Sequence, residues 1–210
     1  MSLRGDIKLH NGDCLKAMKD MADNAFELSI VDPPYGIGMD GATGSIKTNR
    51  KKYTFKGWDN EIPSKEYFDE LQRVSVNQII WGGNYFGDIL GKCKCMIVWD
   101  KIQRCLGNEF EFAWTSLSLL SKAFRKSRVQ SYVGVVKIHP TQKPVALYKW
   151  LLQNYAKEGD KILDTHGGSM SIALACWDLG FDLDLWEIDK EYFDDGKLRL
   201  ERHKAQGQLF

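Results

Sequence analysis

Three short stretches carry residues that could do chemistry, and each sits where a strand must end. Asp32-Pro33-Pro34-Tyr35 follows the apolar run 26–31. Two prolines stop both a helix and a sheet ladder, so the chain leaves the sheet there with an acid and a tyrosine at the exit. Asp164-Thr165-His166-Gly167-Gly168-Ser169 follows a second apolar run and opens a helix. A glycine turn ahead of a helix lets a ligand approach backbone amides. Glu187 and Asp189 close a third strand, and an acid in that place suits the hydroxyls of a ribose. Together these residues imply a nucleoside-containing ligand. The G-x-G-x-x-G pattern of nicotinamide dinucleotides is absent, and taken alone the glycine stretch could equally be a plain turn with a helix cap.

To hold these stretches together the chain must alternate strands and helices. Residues 7–9 read as a strand and 14–21 as a helix, with Leu15 and Met18 on one face and Asp13 as its N-cap. Residues 64–76 read as a helix with Tyr67, Phe68, Leu71 and Val74 inward. Residues 78–81, 96–99 and 110–120 read as strands. Pro144 starts a helix, 161–164 is a strand, 169–179 is a helix closed by Gly180, 183–188 is a strand and 190–204 is a last helix. This alternation predicts an α/β fold, a mostly parallel sheet covered by helices on both faces, in one domain spanning 1–210.

Composition narrows the function classes. No apolar run is long enough to span a membrane and the start Met1-Ser2-Leu3-Arg4 is polar, so a cytoplasmic protein is expected. Five cysteines (Cys14, Cys93, Cys95, Cys105, Cys176) leave one unpaired in any disulfide scheme, which points to reduced thiols. Cys93-x-Cys95 lacks a second pair at zinc spacing, so no metal is expected. The net charge of +1 hides an asymmetry. Residues 36–58 hold Lys47, Arg50, Lys51, Lys52 and Lys56 against the single acid Asp40. Lys122, Arg125, Lys126 and Arg128 follow without an acid, whereas acids dominate 158–201. Such a chain can present one basic face to a polyanion, and the interleaved Tyr53, Phe55 and Trp58 offer stacking surfaces for bases.

The motifs, read in order, resemble those of the amino-group DNA methyltransferases, in the permuted class whose catalytic motif precedes its cofactor motif. Asp32-Pro33-Pro34-Tyr35 matches the family's D-P-P-Y. His139-Pro140-Thr141-Gln142-Lys143-Pro144 matches H-P-T-Q-K-P. Residues 164–171 resemble D-P-F-x-G-S-G-T, Trp186-Glu187-Ile188-Asp189-Lys190-Glu191-Tyr192 resembles G-I-E-I-D-x-x-Y, and Asn11-Gly12-Asp13-Cys14 resembles the G-D-C element. Trp81-Gly82-Gly83-Asn84-Tyr85-Phe86 and Trp99-Asp100-Lys101 are similar to compact phage-borne members. The likeness spans nearly the whole chain.

The resemblance implies a Rossmann-like fold and methyl transfer from S-adenosylmethionine to an exocyclic amine of DNA, N6 of adenine, on a base flipped out of the duplex. Cytosine N4 is the alternative acceptor, although those enzymes more often carry Ser before Pro-Pro-Tyr. The Asp32 carboxylate and the Pro33 carbonyl would accept from the amine, Pro34 would fix the turn and Tyr35 would stack on the base. Asp164, Gly167, Gly168 and Ser169 would line the methionine end, with His166 a flat ring beside it. Glu187 would take the ribose hydroxyls, Ile188 would pack on the adenine and Asp13 would accept from its amino group. Thr141 and Lys143 would reach the methionine carboxylate. Phosphate contacts are expected from two loops, about 36–58 (Lys47, Arg50, Lys51, Lys52, Lys56) and about 122–132 (Arg125, Arg128), with a short target sequence.

Two features depart from the family pattern. Thr165-His166 replaces Pro-Phe, and Met170 replaces a glycine, which would narrow the cofactor pocket; a binding protein without turnover is the alternative this opens. The tail Gln206-Gly207-Gln208-Leu209-Phe210 resembles the Gln-Leu-x-Leu-Phe peptide that docks bacterial enzymes on the sliding clamp, with Gly207 in place of Leu. The other expectation for Leu209 and Phe210 is an apolar clasp against the body.

Overall fold

The computed structural model describes residues 4–41, 53–102 and 108–206. Lys47, Arg50, Lys51, Lys52, Cys105 and residues 207–210 of the tail lie outside the described residues. The apolar runs pair into one eight-stranded sheet. Its strands are β1 (Ile7–Asn11), β2 (Phe26–Val31), β3 (Ser75–Trp81), β4 (Cys95–Asp100), β5 (Phe110–Thr115), β6 (Lys122–Arg125), β7 (Lys161–Asp164) and β8 (Asp182–Glu187). They lie in the order β1-β8-β7-β2-β3-β5-β4-β6. The first five run parallel, β5 is antiparallel to both its neighbours, and β6 returns parallel to β4. This is the expected mostly parallel α/β sheet.

Side chains of successive strand residues point to opposite faces, which divides the core in two. Ile79 and Ile162 join one cluster with Leu147 and Leu151 of α5 (Val145–Tyr155), Ile172 of α6 (Ser171–Leu179) and Leu200 of α7 (Lys190–Gln206). Ile80 and Leu163 join the other with Met18 of α1 (Cys14–Lys19), Phe68 and Leu71 of α2 (Lys65–Val74) and Leu90 of α3 (Gly87–Leu90). Asp13 caps α1 by accepting from the amides of Leu15 and Lys16, and Ser64 caps α2. Arg73 then ties the two helices together by donating to the carbonyls of Met18 and Met21.

β2 and β7 are neighbours in the centre, with Leu28 opposite Ile162 and Ser29 opposite Leu163. From β2 the chain crosses by α2 to β3 on one side. From β7 it crosses by α6 to β8 on the other. Diverging connections leave a crevice at the carboxyl ends of the two central strands, where ligands of such sheets bind. Asp32-Pro33-Pro34-Tyr35 and the turn after Asp164 therefore meet, although 129 residues of sequence lie between them.

Some boundaries differ from expectation. The strand expected over 110–120 ends at Thr115, the last residue in register with both β3 and β4. The first four residues of the loop expected over 122–132 are the edge strand β6, and the short helix α4 (Arg128–Ser131) follows. The helix expected from Ser169 starts at Ser171, since Gly168 and Met170 both have left-handed backbones. Among the described residues no helix is long and apolar enough to cross a membrane.

Candidate active site

A cavity of about 990 Å³ opens over the central crevice, with Asp32 and the glycine turn in its lining. A second of about 300 Å³ adjoins it. The two share Pro34, His166, Glu187 and Ile188, and Asp13 and Cys14 line only the smaller one.

The glycine turn is held from below and behind. Gly167 donates to the Trp186 carbonyl and lies so close to β8 that an added Cβ would fall 2.4 Å from Leu185. A side chain there would have to displace Leu185. The Glu187 carboxylate accepts from the Gly168 amide at 2.7 Å and the Asp189 amide at 2.8 Å, and is 8% exposed. Burial raises its carboxyl above the ordinary range. Asp164 does not line either cavity. It accepts from the His166 amide at 3.0 Å as a brace of the turn, and burial pushes its carboxyl up to about 8. Arg199 of α7 supports the other end, donating to the Ser169 carbonyl at 2.6 Å and the Ser171 hydroxyl at 2.9 Å.

His166 packs edge-on against Tyr67, and its Nδ1 lies 2.9 Å from the Thr165 hydroxyl. Burial lowers its pKa to about 4, so the ring is neutral near pH 7, as a packing residue should be. His139 packs against Tyr192 and Trp58, bonds the Thr141 hydroxyl at 3.1 Å, and is likewise neutral, lowered to about 3 by burial and by Lys143. Met170 does not narrow the pocket. Its side chain is fully buried in the core, against Gly196, and is absent from both cavity walls. Its left-handed φ of 55° is the cost of placing a side chain where the family has glycine, about 1–2 kcal/mol.

The target side is built from charges. The Lys143 ammonium is 3% exposed and contacts the Asp32 carboxylate, Glu111 Oε2 at 3.3 Å and the Tyr35 hydroxyl at 3.2 Å. The Tyr35 hydroxyl donates to the other Asp32 oxygen. Glu111 is held in turn by Lys101 at 2.7 Å. Burial raises Asp32 above its ordinary value while Lys143 pulls against it. Burial would lower Lys143, but Asp32 and Glu111 reverse this and keep it charged. Burial works against Glu111 too, yet Lys143 and Lys101 hold it below the usual carboxylate range. Two acids and two bases thus balance in one buried quartet.

Lys143, expected at a methionine carboxylate, is engaged here with Asp32 and Glu111. Tyr35, expected to stack on a base, lines the larger cavity with its hydroxyl bound to Asp32 and its ring stacked on Tyr85 at 5.0 Å. Lys56, an expected phosphate contact, pairs its ammonium with Asp189 at 2.7 Å and Glu191 at 2.9 Å, 4.2 Å from the centre of the Tyr192 ring. Arg125 is exposed and paired with Asp100, and Arg128 is exposed in the cavity lining. Asp13 spends one oxygen on capping α1.

Sequence reasoning gave Glu111, Lys101 and Asp59 no place in the site. Asp59 is 2% exposed, and its carboxylate accepts from the amides of Tyr35, Gly36 and Met39, fixing the chain as it leaves Asp32-Pro33-Pro34-Tyr35. The available signal for Glu111 was an acid between two phenylalanines in an otherwise apolar strand.

The chain is similar to several known proteins. It is 28% identical to the type II methyltransferase M.HpaI of Haemophilus parainfluenzae, over 93% of this chain and 74% of that one. With M.HinfI of Haemophilus influenzae it shares 21% over 92% and 68%. Among solved structures, the M1.HpyAVI–SAM complex superposes with a TM-score of 0.64 at 22% identity, covering 92% of this chain and 98% of that one. The PvuII cytosine-N4-specific DNA methyltransferase superposes at 0.64 and 12%, covering 97% and 92%. These structural likenesses are likenesses of fold. Residues 83–198, more than half of the chain, match the N6/N4 DNA methylase family. With its fold and its paired motifs at one crevice, the chain belongs to that family, the DNA methyltransferases of adenine N6 and cytosine N4 amino groups.

Proposed function

We propose that the protein methylates N6 of adenine in DNA by direct displacement on a flipped base, with S-adenosylmethionine as methyl donor. The donor supplies an electrophilic sulfonium methyl. The residues fit it. Glu187 presents a buried, amide-held carboxylate to both cavities, as the two hydroxyls of a ribose require. Ile188 leaves an apolar side chain 68% exposed beside it, a surface an adenine would cover. The closeness of Gly167 to β8 keeps the backbone low under the methionine end.

The observation that carries the reading is Asp32, held at the cavity floor by Lys143 and Tyr35. An aromatic amine is a poor nucleophile because its lone pair is delocalised. An acceptor fixed in place can draw the amine N–H toward itself and free the lone pair for attack. Lys143 and Tyr35 orient that acceptor before the base arrives. The amine must also shed one proton after transfer. Asp32 would receive it, and Lys143, touching both carboxylates, would take a proton from Asp32 as it gives one to Glu111. An aspartate here favours adenine over cytosine. We further assign DNA contact to the basic segments around Lys47, Arg50, Lys51 and Lys52 and around Arg125 and Arg128. Mass spectrometry of nucleosides from plasmid DNA treated with the protein tests the reading: N6-methyladenine is expected, and N4-methylcytosine would overturn it.

A further inference from the structure

At the mouth of the larger cavity stands a turn whose surface is apolar. Val129, Val133 and Val136 are 68%, 75% and 77% exposed. They interrupt the most basic described stretch, for residues 122–137 hold five lysines and arginines and no acid. The turn is stiff. The Val135 amide donates to the Tyr132 carbonyl at 3.1 Å across Gly134, whose φ of 70° the left-handed position demands. The Tyr132 hydroxyl is tied to the Gln142 carbonyl, and the Lys137 ammonium lies 3.9 Å from the centre of the Tyr132 ring. Tyr132 and Arg128 line the cavity that holds Asp32, so the valines are presented next to the place a target base must enter.

Clustered valines at a loop tip are unfavourable in water and mark an interaction. Phosphates do not reward them. On DNA the apolar surface is the faces of the bases, and these open only when a step is unstacked. Extruding a base creates such a gap in the duplex. We propose that Val133 and Val136, on this braced turn, form a wedge that enters the base stack and fills the gap as the target base moves into the cavity, while the flanking basic residues hold the phosphates on either side. This rests on the methyltransferase reading above.

The wedge matters only for duplex DNA, since a single strand has no stack to hold open. The test is methylation by the Val133→Ser/Val136→Ser variant of a duplex oligonucleotide and of its isolated strand, with a fluorescent adenine analogue reporting extrusion. Expected is a loss of about tenfold or more in kcat/KM on the duplex, with less fluorescence gain and unchanged activity on the single strand. Equal loss on both substrates, or none on the duplex, would overturn the wedge. So would light scattering showing that the variant turns a dimer into a monomer, which would make the valines a contact between two copies. If the unmodified protein methylates neither substrate, the methyltransferase reading fails instead.

Discussion

Glu187 and Lys143 are both buried charges in the wall of one cavity, and they are satisfied in opposite ways. Glu187 is held by backbone amides from its own βαβ unit, Gly168 and Asp189. Lys143 is held by the side chains of Asp32 and Tyr35 from one turn and of Glu111 from β5, two distant parts of the chain. Backbone dipoles do not change when a neighbouring side chain is replaced. A charge held by charges does, because removing one partner leaves the others uncompensated in a poorly solvated site. The cofactor side should therefore respond to substitution locally, and the target side as a unit.

The sharpest contrast is expected at Asp32. Asp32→Ala should lower turnover about a thousandfold, the size of effect seen when a fixed polar group is removed from a reacting centre. Its cofactor affinity, measured by calorimetric titration, should stay near normal. Comparable loss of both would mean that the two sides are one. Glu187→Ala should do the reverse, weakening cofactor binding by about 2–3 kcal/mol, roughly 30- to 150-fold in Kd. An unchanged dissociation constant would remove the ribose assignment.

Glu111→Gln is expected to lower kcat about tenfold, less than Asp32→Ala because Glu111 acts through Lys143. It should also move the pH profile in a defined direction. Glu111 raises the Asp32 carboxyl, so its loss lowers that pKa and the acidic limb of kcat/KM shifts to lower pH. A profile that stays in place would detach Glu111 from Asp32. The smallest effect is expected at Met170, on the cofactor side. Met170→Gly relieves a left-handed backbone but empties a packed site, so melting should fall by roughly 4–8 °C, about 2 kcal/mol. Cofactor affinity should not change, because Met170 faces the core. Tighter cofactor binding in that variant would put its side chain back in the pocket.

What could be read from sequence follows the same division. The turn after Asp164, Glu187 and the capping of α1 by Asp13 depend on residues close in sequence or on one βαβ unit, and each was legible from residue type and spacing. The expected sheet class also holds, because periodic apolar runs dictate it. The partners of Lys143 were not legible because a motif gives its place at the start of α5 but not which carboxylate waits across the cavity. Those of Lys56 were hidden for a like reason: a basic run shows charge, and only the fold brought Asp189 and Glu191 to it. Glu111 went unnoticed because one acid in a strand gains meaning only when β5 sets it opposite Lys101 and Lys143.

The central claim is that Lys143 serves Asp32 and not the donor. Lys143→Met alone would leave two carboxylates facing each other, so the decisive protein is Lys143→Met/Glu111→Gln, which keeps the quartet electrically balanced. Its cofactor dissociation constant and its single-turnover methylation rate at saturating cofactor are to be measured side by side. The account predicts a constant within about threefold of normal and a rate lowered about a hundredfold. A constant weakened tenfold or more, with the rate intact, would return Lys143 to the methionine carboxylate and contradict it.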